Sequence, residues 1–218
     1  KKMERLYDYL CKLNPYTPKD ALLLTAIVKI AQVGGMNNLK VSSITINNPQ
    51  NMAPANVYGL TFLDSGVGKD KPLREIDSNL LINVLADFKE RCLKHKEQAL
   101  ASVEDQATKK FGEKRSAEKS KYINEHSPRF LPLEISDATL EGFMAARQAY
   151  QDAGFGGTFI KMSEFGDYII SDEGHRKTFI DNVVEVYDWG NSNPKYIKGD
   201  KNFEPVMGVT SSAVMHTS

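Results

Sequence analysis

The sequence predicts an α/β protein with a mainly parallel sheet. Segments with strand-like content alternate with segments of helical periodicity, and residues 57–63 form a mostly apolar run that stops at a polar Asp-Ser-Gly turn. Such a run is typical of a strand buried on both faces of a parallel sheet. At roughly 150 residues per domain, the length of 218 residues suits one domain, with or without an insertion, so we expect a single domain over 1–218.

The N-terminal part, 1–39, is predicted to be helical. Apolar residues recur at helical spacing over 2–13, and Pro15 ends that pattern. A denser apolar helix is expected at 20–33. Gly34 and Gly35 follow it and are expected to stop it, as glycines after a helix commonly do.

The rest of the chain continues the alternation. Strands are expected at 41–46, 57–63, 129–135, 157–162 and 206–209, a loop at 47–55, and helices at 74–100, 138–153 and 173–189. Residues 86–121 are dense in charges of both signs and poor in aromatics, which predicts an exposed helical insertion. This insertion is either a solvated surface or a basic surface that follows nucleic acid.

Composition narrows the class of protein. The 218 residues contain 28 Lys and Arg and 28 Asp and Glu, so the formal net charge is 28 − 28 = 0, which excludes a strongly basic nucleic-acid module. The two cysteines, Cys11 and Cys92, are too few for a disulfide framework or a metal cage. No long apolar segment is present, so we expect a soluble, cytoplasmic protein. Because the chain begins at Lys1, we expect a fragment of a larger protein.

Residues 63–70, Leu-Asp-Ser-Gly-Val-Gly-Lys-Asp, lie between a predicted strand and a predicted helix, as a phosphate-binding loop does. Glycines let backbone N–H groups turn toward a polyphosphate, and Lys69 would reach the β and γ phosphates. Of the pattern G-x-x-x-x-G-K-[ST] only Gly68 and Lys69 match, so an ordinary strand-to-helix turn remains the alternative. The predicted nucleotide-binding residues are Ser65, Gly66, Val67, Gly68, Lys69, Asp70 and Lys71.

Two later strands carry polar residues at their predicted ends. The strand at 157–162 leads to Ser163 and Glu164, similar to the acidic motif of a nucleotide site, with Ser163 where Asp is usual. The strand at 206–209 leads to Thr210 and Ser211, whose hydroxyls would sense a γ-phosphate or the attacking water. Ligands bind at the carboxyl ends of strands in open α/β sheets, so we expect these groups to converge.

The two departures from the usual motifs can explain each other. A usual site holds Mg²⁺ with a hydroxyl from the loop and a carboxylate from the second strand. This chain offers a carboxylate at Asp70 and a hydroxyl at Ser163. Mg²⁺ requires hard oxygen ligands, so we predict that Asp70 and Ser163 hold it by exchanged roles. The competing interpretation is a degenerate site that binds nucleotide poorly.

Four stretches, 54–69, 128–143, 157–169 and 206–212, carry a family resemblance. They resemble the P-loop NTPase domain of phage and mobile-element proteins described as YfjI-like, or as a primase-associated helicase-type family. The most specific is 128–143, in which Pro-Arg and a strand precede Asp-Ala-Thr-x-Glu. The resemblance covers about 20–212. It implies an oligomeric RecA/AAA-like ATPase core that works in DNA replication and, if phage-encoded, is found in the cytoplasm of a bacterial host.

Catalytic roles follow from this resemblance. Glu164 is the first candidate for the general base that prepares water, and Glu141 is the second. Near Glu141, Asp137 could instead cap the helix that follows. An arginine finger from a neighbouring subunit could be Arg129, Arg147 or Arg176.

The sequence therefore predicts Mg²⁺-dependent ATP binding and hydrolysis by a phage-type replicative helicase or DNA-processing ATPase. The alternative is a scaffold with a degenerate nucleotide site that binds DNA or a replication partner through 86–121.

Overall fold

The fold is described from a computed structural model. It covers residues 2–42, 52–64, 67–112, 115–128, 131–136, 139–162, 165–170, 174–187, 195–196, 202–203, 206–207 and 209–217.

Helices and strands alternate along most of the chain, as predicted. The helices are α1 (Lys2–Leu13), α2 (Lys19–Met36), α3 (Lys71–Glu75), α4 (Ile82–Phe111), α5 (Ser116–His126), α6 (Leu140–Asp152), α7 (Phe165–Ile170) and α8 (Gly174–Glu185), and a π-helical turn, Ile76–Leu80, lies between α3 and α4. The strands are β1 (Lys40–Ser42), β2 (Met52–Pro54), β3 (Tyr58–Phe62), β4 (Ile135–Ser136), β5 (Gly157–Met162), β6 (Lys195–Tyr196), β7 (Asn202–Phe203) and β8 (Thr210–Thr217).

Four strands form one parallel sheet in the order β3-β8-β5-β4. Two small antiparallel pairs, β1 with β2 and β6 with β7, complete the strands of the described residues. The expectation of a mixed α/β protein with a mainly parallel sheet is confirmed. All four parallel strands end at the same edge, which is called the carboxyl edge below.

The sheet is covered on both faces. On one face, α2 and α3 pack through Val28 and Leu73 against Phe159 of β5 and Val214 of β8. The opposite face buries Ile160 of β5 among residues of α6 and α8. Consecutive side chains of a strand point to opposite faces, so each inner strand supplies residues to both clusters.

The helix α2 does not stop where the sequence predicts. It continues through Gly34 and Gly35 to Met36. A Cβ at Gly34 would lie 3.0 Å from the Ala55 Cβ, and one at Gly35 would lie 3.6 Å from the Gly157 Cα. Gly34 therefore allows close approach of the helix to Ala55, whereas the contact at Gly35 is an ordinary one, and neither glycine ends the helix.

The strand β3 is less buried than predicted. It pairs with β8 in the parallel sheet, and its residues alternate between buried and partly exposed. Gly59 and Thr61 face α2 and are buried, whereas Leu60 and Phe62 are 41% and 72% exposed. The prediction of burial on both faces is therefore wrong, because β3 lies at the end of the four-strand order.

The charged insertion forms a helical hairpin. The helix α4 has 30 residues and is about 45 Å long, and α5 packs beside it. Buried residues of α4 are Phe88, Cys92 and Ala107, and α5 has none. Exposed ion pairs at helical spacing, such as Lys109 with Asp105, cover its surface. The predicted exposed helical insertion is confirmed, with helix bounds that differ from 86–121.

Other boundaries differ from the prediction. A strand, β2, lies within the expected loop at 47–55, and the described part of 129–135 contributes only Ile135 to a strand. The single helix expected at 74–100 is interrupted by the π-helical turn. None of the helices in the described ranges is both long and apolar enough to cross a lipid bilayer.

Candidate site at the carboxyl edge of the sheet

The connections that leave the carboxyl edge turn to opposite faces. After β3 the chain enters α3, whose Leu73 packs with α2 on one face. After β5 it enters α7, whose Phe165 packs with Met162 and Phe179 on the other face. The end of β8 lies between these two connections. Open α/β sheets bind ligands where neighbouring connections diverge in this way, so this edge is the candidate site.

The predicted phosphate loop lies at this edge, between β3 and α3. Its start is tied to the sheet, since the Leu63 N–H donates to the Thr217 carbonyl at 2.9 Å. Gly68 has φ of 75°, a left-handed conformation that favours glycine, and the Lys71 N–H donates to its carbonyl at 3.0 Å. The segment lies between a strand and a helix, as the sequence predicts. Ser65 and Gly66 lie outside the described residues.

Two hydrogen bonds join the loop to the connection between α1 and α2. The Thr17 hydroxyl donates to the Val67 carbonyl at 3.1 Å, and the Lys71 ammonium donates to the Leu13 carbonyl at 2.9 Å. The Val67 carbonyl and the Gly68 N–H belong to the same trans peptide group, in which C=O and N–H point in opposite directions. The Gly68 N–H therefore points away from Thr17. Lys71 thus holds the N-terminal segment against the loop, whereas the sequence placed it among the nucleotide-binding residues.

The last loop residue forms an ion pair with β5. The Lys161 Nζ lies 3.2 Å from the Asp70 Oδ1, and the side chains are 21% and 39% exposed. Lys161 is on the face of β5 that α2 and α3 cover, and Asp70 directly precedes α3. This contact brings the end of the loop next to the carboxyl-terminal part of β5. Ser163 and Glu164 themselves lie outside the described residues.

A second lysine–aspartate pair lies on the same face of the sheet. Lys29 of α2 is 2% exposed, and its Nζ lies 2.9 Å from the Asp77 Oδ2 and 4.4 Å from the centre of the Phe159 ring. Burial lowers the pKa of Lys29, while the charge of Asp77 opposes that shift and the charge of Lys161 adds to it. The ammonium groups of Lys29 and Lys161 are therefore electrostatic neighbours.

The end of β8 carries His216 and Thr217, which the sequence did not single out. His216 is 1% exposed, and its Nδ1 shares a hydrogen bond with the Thr61 hydroxyl of β3. The Thr217 Oγ1 accepts a hydrogen bond from the Gly166 N–H at 3.1 Å. These side chains join β8 to β3 and to α7 at the candidate site.

Thr210 lies at the opposite edge of the sheet. It begins β8 and pairs with Gly157, the first residue of β5. Seven residues separate Thr210 from Thr217, which corresponds to about 23 Å along the strand. The prediction of a strand ending before Thr210 is wrong, and neither Thr210 nor Ser211 is placed to sense a phosphate at the loop.

The hydroxyls at the start of β8 instead bond within the sheet. The Thr210 hydroxyl donates to the Gly156 carbonyl at 3.2 Å, and the Ser211 and Thr158 hydroxyls are 2.8 Å apart. The Ser212 hydroxyl accepts from the Val57 N–H at 3.3 Å. Paired in this way, hydroxyl residues can occupy a buried central strand.

One other predicted residue, Glu141, lies away from the loop. Glu141 is exposed in the first turn of α6, after β4, and β4 is three strands or about 14 Å from β3. The cap of α6 is Thr139, whose hydroxyl accepts from the Gly142 N–H. Asp137, which the sequence favoured as a cap, lies outside the described residues.

Arg147 cannot act as an arginine finger. Its side chain is fully buried, and one guanidinium nitrogen donates to the Val209 carbonyl at 3.0 Å. Burial lowers its pKa to about 10, which leaves it charged at neutral pH. Arg129 and the side chain of Arg176 lie outside the described part of the chain.

The described residues were tested for a Mg²⁺ site. No group of three or more His, Cys, Asp or Glu among them could hold a metal ion. Asp70 offers one carboxylate, and the ammonium of Lys161 already stands next to it. One carboxylate with phosphate oxygens and water can hold Mg²⁺. The residues therefore fit a Mg²⁺ ion that arrives with a polyphosphate, rather than one held by the protein alone.

Fold and site together define an α/β protein with a small parallel sheet and a lysine-bearing loop at its carboxyl edge. The chain matches no protein-family model, no curated protein and no solved structure.

Proposed function

We propose that this protein binds ATP at the loop 63–70 and hydrolyses it with Mg²⁺. The observation that carries the proposal is the contact between Asp70 and Lys161, which joins the end of the loop to the end of β5. A nucleotide site requires these two segments close together, because the loop binds the phosphates and the end of a second strand supplies the groups that act on them.

The order of the strands supports this proposal. Counted along the chain, β3, β4, β5 and β8 are the first to fourth parallel strands. Across the sheet they lie in the order first, fourth, third, second. This order is typical of RecA-like ATPases, where the fourth strand separates the strand before the phosphate loop from the strand that carries the acid. The support is an analogy of fold, since one fold hosts many functions.

Each residue would have a defined task. Lys69 and the N–H groups of the loop would bind the phosphates, and Asp70 with Ser163 would hold Mg²⁺. When bound, the metal neutralises charge on the β and γ phosphates. Glu164 remains the first candidate for orienting the attacking water, with Glu141 second. Helicase activity, assembly into a homo-oligomer, DNA or primase partners and a cytoplasmic location remain predictions from the sequence.

The test is calorimetric titration of Mg-ATP, with a phosphate-release assay alongside. Lys69→Ala should weaken binding tenfold or more, because it removes an ammonium–phosphate bond. Lys109→Ala is the matched control, since Lys109 is exposed on α4. A thermal midpoint for each variant verifies folding. Equal binding by Lys69→Ala and wild type, or no binding by wild type, would refute the proposal.

A second candidate is a scaffold that binds a partner through the α4–α5 hairpin. The observation in its favour is the exposure of this hairpin, because α5 buries no residue. In this hairpin the Tyr122 ring of α5 stacks on the His126 ring, with ring centres 3.9 Å apart. The Lys110 Nζ of α4 lies 5.0 Å from the centre of the Tyr122 ring. A scaffold should keep partner binding in Lys69→Ala and lose it when Tyr122 and Lys110 are both changed to Ala.

A further inference from the structure

Lys161 is an unusual residue for its position. Five of the six residues of β5 are buried, and Lys161 is the one that is partly exposed. Its side chain is 21% exposed at the carboxyl edge, with its ammonium 3.2 Å from the Asp70 carboxylate. The nearby charge of Lys29 repels it. A lysine in this position can donate to an anion that lies above the edge.

The loop brings such an anion within reach. Lys69 and Asp70 are consecutive, so their Cα atoms are about 3.8 Å apart. A phosphate bound at Lys69 therefore lies next to the residue that already holds the Lys161 ammonium. The carboxylate of Asp70 would repel that phosphate, unless Asp70 and the phosphate share the lysine or exchange it.

We propose that Lys161 is a second phosphate-binding lysine, which Asp70 holds when no ligand is bound. This inference rests on the proposed function. A polyphosphate that enters the loop takes the ammonium of Lys161 from Asp70, and the released carboxylate becomes available to a cation that accompanies the ligand. The Lys161 ammonium exchanges the Asp70 carboxylate for a phosphate, and the Asp70 carboxylate exchanges the ammonium for the cation. Asp70 thus opposes binding of a bare polyphosphate and favours binding of its metal complex.

The competing interpretation is an ion pair that only fixes α3 to β5. The two interpretations differ in whether the effect of Asp70→Asn depends on Lys161. If the pair is purely structural, loss of the Asp70 charge changes the binding of metal-free ATP equally with and without Lys161. If Asp70 restrains Lys161, the substitution strengthens that binding only when Lys161 is present.

The experiment titrates ATP in EDTA, without metal, into wild type, Lys161→Met, Asp70→Asn and the double variant. Lys161→Met should bind tenfold or more weakly, because a charge-assisted hydrogen bond to phosphate is lost. Asp70→Asn should bind up to about fivefold more tightly, since a partly exposed ion pair no longer competes. In the double variant the gain should disappear.

Lys109→Met and Asp105→Asn are the matched controls, because that pair is exposed on α4 with its atoms 2.6 Å apart. Neither should change binding. Lys161→Arg keeps the positive charge and should retain most of the affinity. Thermal midpoints report folding, and if Lys161→Met does not fold, Lys161→Gln takes its place in the single and the double variant.

Failure of this inference can be distinguished from failure of the proposed function. If wild type binds ATP neither with Mg²⁺ nor in EDTA, both are refuted. If wild type binds through Lys69 but Asp70→Asn does not tighten metal-free binding, only the role of Lys161 is refuted.

Discussion

Two glycines at the contact between α2 and the sheet give the sharpest test of the packing. A Cβ added at Gly59 of β3 would lie 2.7 Å from the Val28 Cγ2 and 3.0 Å from the Leu24 Cγ. Val28 is fully buried and its branched side chain has little freedom to turn. A Cβ at Gly35 of α2 would instead lie 3.6 Å from the Gly157 Cα, an ordinary contact.

The expected changes in the free energy of unfolding have opposite signs. For Gly59→Ala, overpacking costs about 1–3 kcal/mol. Replacing glycine in a strand recovers about 0.5–1 kcal/mol, so the net loss is at most about 2.5 kcal/mol and about 1 kcal/mol for mid-range values. For Gly35→Ala no overlap opposes the helical preference of alanine, so a gain of about 0.5–1 kcal/mol is expected.

Urea unfolding followed by far-ultraviolet circular dichroism measures both changes. With an unchanged slope, the shift of the midpoint reports the change in stability. A Gly59→Ala variant as stable as wild type would refute the approach of Val28 to β3. A Gly35→Ala variant that loses more than about 1 kcal/mol would refute the extension of α2 over Gly157.

Three further predictions concern single side chains. Thr139→Ala should cost about 0.5–2 kcal/mol in urea unfolding, because the cap of α6 to Gly142 is lost. Tyr150→Phe should cost about 0.5–1.5 kcal/mol by the same measurement, because the hydroxyl donates to the Pro132 carbonyl at 2.7 Å. Burial raises the pKa of Cys92 from 9.0 to about 11, so stability should fall between these pH values, and less steeply in Cys92→Ala.

Each of these has its own control. Thr139→Ser keeps a hydroxyl and should recover most of the stability, and equal losses in both variants would contradict the cap. A Tyr150→Phe variant as stable in urea as wild type would contradict the hydrogen bond. For Cys92, the unfolded thiol loses its proton first as the pH rises, which draws the equilibrium toward the unfolded state. Parallel pH profiles for wild type and Cys92→Ala would contradict a buried thiol.

Sequence patterns within short stretches of the chain correctly predicted several individual helices, strands and turns. The strand β5 lies where its content indicated, at Gly157–Met162, and α1 has the predicted bounds within one residue. The position of Lys69 and Asp70 between a strand and a helix was also predicted. Each of these depends on periodicity or on turn residues within about ten positions of the chain.

The errors arise where distant segments decide. Gly34 and Gly35 resemble a helix stop in the sequence, but both lie inside α2, where Gly34 packs closely against Ala55 and Gly35 lies over Gly157. The hydroxyl residues that begin β8 resemble the polar end of a strand in the sequence. The groups that satisfy them, on β5 and just before β3, are far away along the chain, so no local pattern indicates that these hydroxyls are buried within a strand. The same holds for Lys161, whose partner lies 91 positions earlier, although a lysine in an apolar strand was a visible signal.

The central position of β8 has a consequence for the order of folding. Strands β3 and β5 each pair with β8, and Thr61 of β3 lies 155 positions before its partner His216. During synthesis, β3, β4 and β5 therefore leave the ribosome before the strand that joins them exists. Pairing over such distances is slow, and it leaves strand edges open to other chains in the meantime. We therefore expect the yield of native protein to depend on how quickly residues 210–217 enter the sheet.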